Sequence, residues 1–394
     1  VICGAGIAGL ALASRLGRAG WDVLVLESAP AARGESYMIN LFGSGFDAAA
    51  RMQVLPQLSR LSYDFDSVEF LNVQGRSTAR LPFKALRERF SGRLMSLMRG
   101  DLERVLIEQS PPNVAIRFGC CVVQVRAPVG GIEVDLDSGG MERCDVLIGA
   151  DGLHSRIRDL VFGDGSLWFR FMGFHTAAFS FRDGEVHAAL QNRLQIVSVP
   201  GRLVGFYPVL GGEVATFFVH RAQNSAPPLS PVQAVCDTYG DLGGHVPRAL
   251  QAVKLHPTLL YEQVGQVVMR HWCRGRVALL GDACQAVSLL PGQGASLSMA
   301  AAFVLGEELC SGVHVRDALE RYEHRVRPAI VRIRRGVRKT AEWLVPATTA
   351  GIRARDLAIR LSRLPGLSGL IRPATEAINE DVLTAPVMPR LEMR

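Results

Sequence analysis

Residues 4–9 read GAGIAG, a G-x-G-x-x-G spaced as Gly4, Gly6 and Gly9 directly after three apolar residues. The chemistry open to that spacing is the binding of a dinucleotide pyrophosphate. Gly4 permits a tight turn, Gly6 lets the phosphates approach the backbone, and Gly9 lets the next helix pack close to the strand. The phosphates would rest on N–H groups at the positive end of that helix. A second apolar strand, DVLVLE, ends in Glu27, 18 residues after Gly9. An acid there accepts hydrogen bonds from the adenosine ribose hydroxyls. The glycine spacing alone is weak, because the chain has 40 glycines; strand, turn, helix and acid in order make the case. The competing reading is an ordinary βαβ unit whose Glu27 only ends a strand.

Two more strand ends offer related chemistry. DVLIGADG at 145–152 is a continuous apolar run closing on Asp151 and Gly152, at the edge where open α/β sheets bind ligands. HSRIR follows, putting the cations of His154 to Arg158 near the pyrophosphate and the approach of NAD(P)H phosphates. The alternative there is a helix N-terminus capped by Asp151 and Ser155. RVALLGD at 276–282 ends in Gly281 and Asp282, and the turn Pro291-Gly292-Gln293-Gly294 then opens a long small-residue helix. The N–H groups of that helix would stabilise negative charge in front of them.

The elements that must position these residues follow from pattern. The helix after Gly6 reads GLALASRLGRAG and stops at Gly20. Residues 66–83 alternate around Gly75 as a hairpin, and LMRGDLERVLIEQ reads as a helix with Asp101 as N-cap. From about 166 to 221 the chain changes to aromatic and β-branched hairpins, as a separate sheet would. Two helices follow to about 253. The first pattern then returns, and a basic helical region broken at Pro346 and Pro365 ends the chain. The expected fold is α/β: a Rossmann-like cofactor domain with an inserted antiparallel β-sheet domain and a C-terminal helical tail. The segments are 1–65, 96–165 and 266–325 for the cofactor domain, 66–95 and 166–265 for the substrate domain, and 326–394 for the tail.

Composition narrows the classes. At 394 residues, with 48% hydrophobic and 21% charged, the chain is globular with room for two domains. No apolar run reaches the roughly 18 residues of a membrane span, so stable membrane insertion is not expected. No signal peptide is read, although the chain starts without Met inside its first strand, which leaves a lost leader open. The net charge of +7 fits an Arg-rich surface plus polyanionic cofactors. The basic cluster Arg325 to Lys339 lies along one helix with no nucleic-acid reading element. Eight cysteines show no C-x-x-C and no metal-ligand spacing, which points to reduced thiols, a cytoplasmic setting and no metal.

With these marks in order, the chain resembles the single-component FAD-dependent monooxygenases of the para-hydroxybenzoate hydroxylase fold. GAGIAG at 4–9, GADG at 149–152 and GD at 281–282 carry the resemblance, which covers nearly the whole chain. It implies FAD as cofactor and NAD(P)H and O2 as co-substrates, with oxygen transferred through a flavin C4a-hydroperoxide. It also implies that Arg99 contacts FAD and that Asp282 accepts the ribityl hydroxyls. The PGQG turn, with Pro291, Gly292, Gly294 and Ala295, would face the flavin pyrimidine edge. Ala8, Ser28 and Val123 are implied as further cofactor contacts. Arg33 and Asn40 are similar to the Arg and Asp of the tetracycline-inactivating monooxygenases, the first tied to NADPH and the second, here changed to Asn, to FAD.

The substrate side is read from strand chemistry. Gln191, Tyr207 and His220 are the pocket candidates, with Phe206, Phe218, Tyr37 and Met38 beside them. Their character points to a hydrophobic, polycyclic or polyketide-like ligand of secondary metabolism or antibiotic modification. No second G-x-G-x-x-G marks a separate NAD(P)H domain, and no W-x-W-x-I-P halogenase motif occurs. Two rivals share the FAD motifs: a flavin-binding cyclase performing a non-redox [4+2] cycloaddition of a polyketide, and a flavin reductase without oxygenation. A monomer or a homodimer is expected.

Overall fold

The computed structural model describes residues 1–32, 37–255, 259–288, 292–364, 366–371 and 382–383. Its central sheet has six strands in the order Cys273–Arg274, Val277–Leu279, Leu147–Gly149, Ile2–Cys3, Val23–Glu27 and Val114–Phe118. All pairings are parallel except the edge strand Cys273–Arg274. The strand Ile2–Cys3 has its chain neighbour Val23–Glu27 on one side and the distant Leu147–Gly149 on the other. The connections therefore leave in opposite directions from its carboxyl end and open a crevice there.

The first helix, Ile7–Arg18, packs against the helix Gly294–Leu309, which is buried almost all round. Small residues permit this: a Cβ on Gly306 would lie 2.6 Å from Cγ of Arg15. The helix Val315–Leu344 covers it with the stripe Leu319, Tyr322, Val326, Ile330, Ile333 and Val337, spaced three or four apart. Among the described residues no helix is long and apolar enough to cross a membrane.

The second large sheet has seven strands: Leu260–Val267, Phe169–Arg182, Glu213–Arg221, Arg202–Val209, Arg193–Val199, Ser67–Leu71 and Ser77–Pro82. It is antiparallel apart from one seam. Arg193–Val199 runs parallel to Ser67–Leu71, because the hairpin at 67–82 joins this sheet from a distant part of the chain. The outer face carries Phe179, Phe206 and Phe218 under the helices Gly184–Leu190, Pro231–Tyr239 and Val246–Leu255. The inner face looks toward the crevice. A two-stranded sheet, Met38–Phe42 with Leu94–Met98, stands between the two large sheets in sequence. The helix after it starts at Arg99, earlier than the sequence pattern implied. Asp101 thus falls in its first turn and pairs with Arg104 at 2.8 Å instead of capping.

Candidate functional site

At the crevice the glycine loop is held by backbone contacts. Gly4 has φ +106°, and a Cβ on it would lie 2.3 Å from the carbonyl oxygen of Ala150. A Cβ on Gly9 would lie 2.0 Å from the Gly4 oxygen, so the helix can approach the strand only as glycine. Gly6 differs. A Cβ there would meet nothing nearer than Nη2 of Arg99 at 3.6 Å, so this glycine opens onto space. No side chain caps the helix that starts beyond it. Glu27 ties the loop down, its Oε2 accepting the Ala5 N–H at 2.8 Å and its Oε1 the Ala29 N–H at 2.9 Å. Ser28 donates to the same carboxylate and lines the cavity with Ala8.

Ser155 caps the helix Arg156–Phe162, its Oγ accepting the Arg158 N–H at 3.0 Å, and Asp151 supports that cap. Its carboxylate accepts from Ser155 Oγ at 2.5 Å and from the Ile157 N–H at 3.0 Å, while burial pushes its pKa up. Gly152, at φ +81°, turns the chain along the cavity wall. The cationic run behaves unevenly. His154 and Arg156 line the cavity, but Arg158 is turned into the core. Its guanidinium donates to the carbonyls of Ala283 at 3.0 Å and Leu153 at 2.9 Å, joining the two Asp-bearing loops instead of facing phosphate.

Gly281, at φ +63°, packs against Ala8, where a Cβ would come within 2.7 Å of the alanine methyl. Asp282 then faces the cavity, with its pKa raised by burial against the opposing pull of Arg99. Among the described residues no donor is hydrogen-bonded to its carboxylate. Gly292, Gly294 and Ala295 bring the uncapped start of the helix Gly294–Leu309 to the same wall. Ser296 straps that helix to the strand Met38–Phe42: its Oγ donates to the Asn40 carbonyl at 2.9 Å and accepts the Phe42 N–H at 3.1 Å. The Asn40 side chain accepts from Ser96 Oγ at 2.7 Å and lines the cavity. Arg33 and Pro291 lie outside the described residues.

Arg99 sits where the crevice meets the seven-stranded sheet, its Nε bonded to Glu103 at 3.0 Å and its guanidinium 5.8 Å from the Tyr37 ring centre. Glu103 was legible as the acid one helical turn after Arg99. Val123 is displaced from the expected place. A β-bulge puts it between Val122 and Gln124, and Val122 lines the cavity instead.

On the sheet, strand alternation sorts the aromatic residues. Tyr207, Phe217 and Val219 face the cavity with Thr176, Ala178, Leu260 and Glu262. Phe206 and Phe218 face the outer helices, and so does His220, which bonds to the Tyr239 hydroxyl at 3.2 Å. Gln191 stands apart as well: exposed, at φ +48° beyond the helix Gly184–Leu190, with its side chain on Arg193. His220 and Gln191 are therefore corrected as pocket residues. Both sheet faces are covered and apolar, so hydrophobicity does not say which set points inward. Thr176, Phe217, Leu260 and Glu262 were missed for that reason. The one signal available was Glu262, a charge in the middle of a strand.

Together these walls enclose one cavity of about 1330 Å³. It runs from Gly4, Glu27 and Cys121 through Arg99 and Asp282 to the inner sheet face. Ligand pockets are commonly about 300–1,000 Å³, so this one has room for more than a single small molecule. A family model described as "FAD binding domain" matches residues 1–336. The chain belongs to that family, the flavoprotein monooxygenases of the para-hydroxybenzoate hydroxylase fold. As in its relatives, the enzyme type is an FAD-dependent monooxygenase. It is 27% identical over 359 residues to FAD-dependent monooxygenase asL6 of Sarocladium schorii, covering 84% of each chain. Its fold is similar to that of tetracycline destructase Tet(51), with a TM-score of 0.79 at 23% identity over 99% of this chain and 98% of that one. Klebsiella pneumoniae HpxO, solved with FAD and uric acid, matches with a TM-score of 0.79 at 21% identity over 96% of each chain. The residues present fit FAD: an open Gly6 cradle at a helix start, a carboxylate at Glu27, and an unclaimed acceptor at Asp282.

Proposed function

We propose that this enzyme uses NAD(P)H and O2 to oxygenate a hydrophobic, polycyclic or polyketide-like small molecule held on the inner face of the seven-stranded sheet. The observation that carries the reading is the continuity of the cavity, which lets a dinucleotide cofactor and a second molecule share one space. Bound FAD would supply the two-electron chemistry with NAD(P)H and the activation of O2. Gly4, Gly6 and Ala8 would hold the pyrophosphate, Glu27 and Ser28 the adenosine side, and Asp282 the ribityl hydroxyls. The start of the helix at Gly294 and Ala295 would stabilise negative charge on the ring edge in front of it. Arg99, already paired with Glu103, would form the boundary between the cofactor and the second molecule. The inner sheet would exclude water and orient the ring to be oxidised.

The apolar lining by Leu194, Val209, Phe217, Val219 and Leu260 supports a hydrophobic substrate. The relatives' printed names fit a ring compound without adding to its hydrophobicity: HpxO was solved with uric acid, and the destructases are named for tetracycline. The reading is tested by supplying the FAD-loaded protein with NADH or NADPH and a panel of polycyclic phenols and quinolones. The expected result is ligand-stimulated consumption of O2 with a product one oxygen atom heavier. Conversion of a polyene to an isomer of unchanged mass, with no O2 consumed, would contradict it and favour a cyclase.

A further inference from the structure

Resting on the reading that FAD fills the cofactor half, the junction of the two halves gives Tyr37 a role of its own. Its aromatic type groups it with the substrate candidates, yet in the structure it lies against Arg99. The Tyr37 carbonyl accepts the Arg99 N–H at 3.2 Å. Its ring centre is 5.8 Å from the Arg99 guanidinium, within reach of a cation–π contact. Its hydroxyl stands 3.5 Å from Nη1 of the same guanidinium, longer than a good hydrogen bond. The next residue, Met38, gives its N–H to the Tyr207 hydroxyl at 2.8 Å, so the segment carrying Tyr37 is anchored on the sheet half.

The three nitrogens of Arg99 are thereby sorted. Nε bonds to Glu103 at 3.0 Å, and Nη1 faces the Tyr37 hydroxyl. Nη2 stands over Gly6, where a Cβ would lie 3.6 Å from it. Gly6 precedes an uncapped helix start, the place where a diphosphate rests. Charge alone does not set this direction, because acids draw on the guanidinium from both halves. Burial works to lower its pKa, and Tyr37, Glu103 and Glu262 together outweigh burial and raise it. Asp282, itself pushed up by burial, is pulled back by the same guanidinium. A long, rotatable side chain among several carboxylates needs something to fix its plane, and an aromatic face does so for a planar guanidinium.

We propose that Tyr37 is a positioning residue for the cofactor: its ring fixes the plane of the Arg99 guanidinium and so presents Nη2 to the diphosphate above Gly6. Tyr37 acts through Arg99 and needs no contact with the ring substrate. The ring does the positioning, and the hydroxyl at 3.5 Å adds little. No bond is made or broken in this step.

The test is a double-mutant cycle read as FAD affinity. FAD is titrated into the full chain freed of flavin, and binding is followed by flavin fluorescence without NAD(P)H. Tyr37→Phe keeps the ring and should bind FAD within about twofold of the wild type. Tyr37→Leu should bind about tenfold more weakly, the worth of a partly desolvated cation–π contact. Arg99→Gln should bind at least about tenfold more weakly, through loss of a charged hydrogen bond. In the Arg99→Gln background, Tyr37→Leu should cost less than about twofold, because no guanidinium is left to orient. A tyrosine that only filled space would cost the same in both backgrounds. Should Tyr37→Leu fail to fold, Tyr37→Met takes its place, filling similar space without an aromatic face. Equal losses in the two backgrounds, a Tyr37→Phe as weak as Tyr37→Leu, or full affinity in Tyr37→Leu would each overturn the proposal. A wild-type chain that takes up no FAD would overturn the cofactor reading along with it, so the two failures are distinguishable.

Discussion

In the cofactor half of the cavity the decisive contacts fall on main chain at strand ends: Gly4 lies on Ala150, Gly9 on Gly4, and the Glu27 carboxylate on the N–H groups of Ala5 and Ala29. In the sheet half they are made by side chains at alternate positions, Tyr207, Phe217 and Val219 inward against Phe206, Phe218 and His220 outward. Backbone contacts of the first kind tolerate one residue type and therefore leave a mark in sequence. Side chains of the second kind can be exchanged for others of similar size, and their direction is set by register alone. The first half is therefore legible from residue type and spacing, and the second only from the register of its strands.

The sharpest way to break this comparison is at Gly4. In Gly4→Ala the new methyl meets the Ala150 oxygen while the backbone stays at positive φ. A penalty above ~3 kcal/mol is expected, with no flavin-loaded protein recovered. Normal flavin content, read as the ratio of flavin to protein absorbance, would show that the loops do not need this approach. A smaller effect is expected at Glu27. Glu27→Gln keeps the shape but weakens the charge-assisted bonds to the loop and those proposed to the ribose, and FAD should bind about ten- to a hundredfold more weakly by titration. An unchanged Kd would mean that the acid only ends a strand.

The smallest effect separates the two faces of the sheet. His175 and His220 face each other with ring centres 5.7 Å apart under the outer helices. Burial lowers the pKa of both, that of His220 to about 4, with His175 and Arg202 adding to the shift. Above pH of about 6.5 folded and unfolded chains are both neutral at these sites, and stability there does not depend on pH. As pH falls from about 6.5 toward 4, the unfolded chain takes up protons that the folded one refuses, and stability declines. Tm should therefore drop over that window, and His220→Asn should flatten the drop without altering flavin content. An unchanged slope would mean that the outer pair does not titrate as described.

The marks that proved legible were those of the first kind. GAGIAG, GADG and GD lie at neighbouring strand ends because Ile2–Cys3 pairs with both Val23–Glu27 and Leu147–Gly149, the latter next to Val277–Leu279. Legibility failed where a local irregularity or a second covered face intervened. The bulge at Val123 leaves Val122 on the cavity wall in its place. Arg158 has the composition of a phosphate ligand, yet two core carbonyls claim it. Gln191 looks like a polar pocket residue but occupies a left-handed position at a helix end. Tyr207 was placed by its aromatic type, while its hydrogen-bond role needed Met38, 169 residues away.

The proposed function requires that the cofactor half hold a redox-active flavin opening onto the sheet half. Its most direct test is the visible spectrum of the FAD-loaded protein on anaerobic addition of NADPH or NADH, with and without 2-naphthol. The account predicts that the flavin absorbance bleaches, bleaches faster with the ring compound present, and returns when air is admitted. A tightly bound flavin that neither nucleotide bleaches, with or without the ring compound, would contradict it.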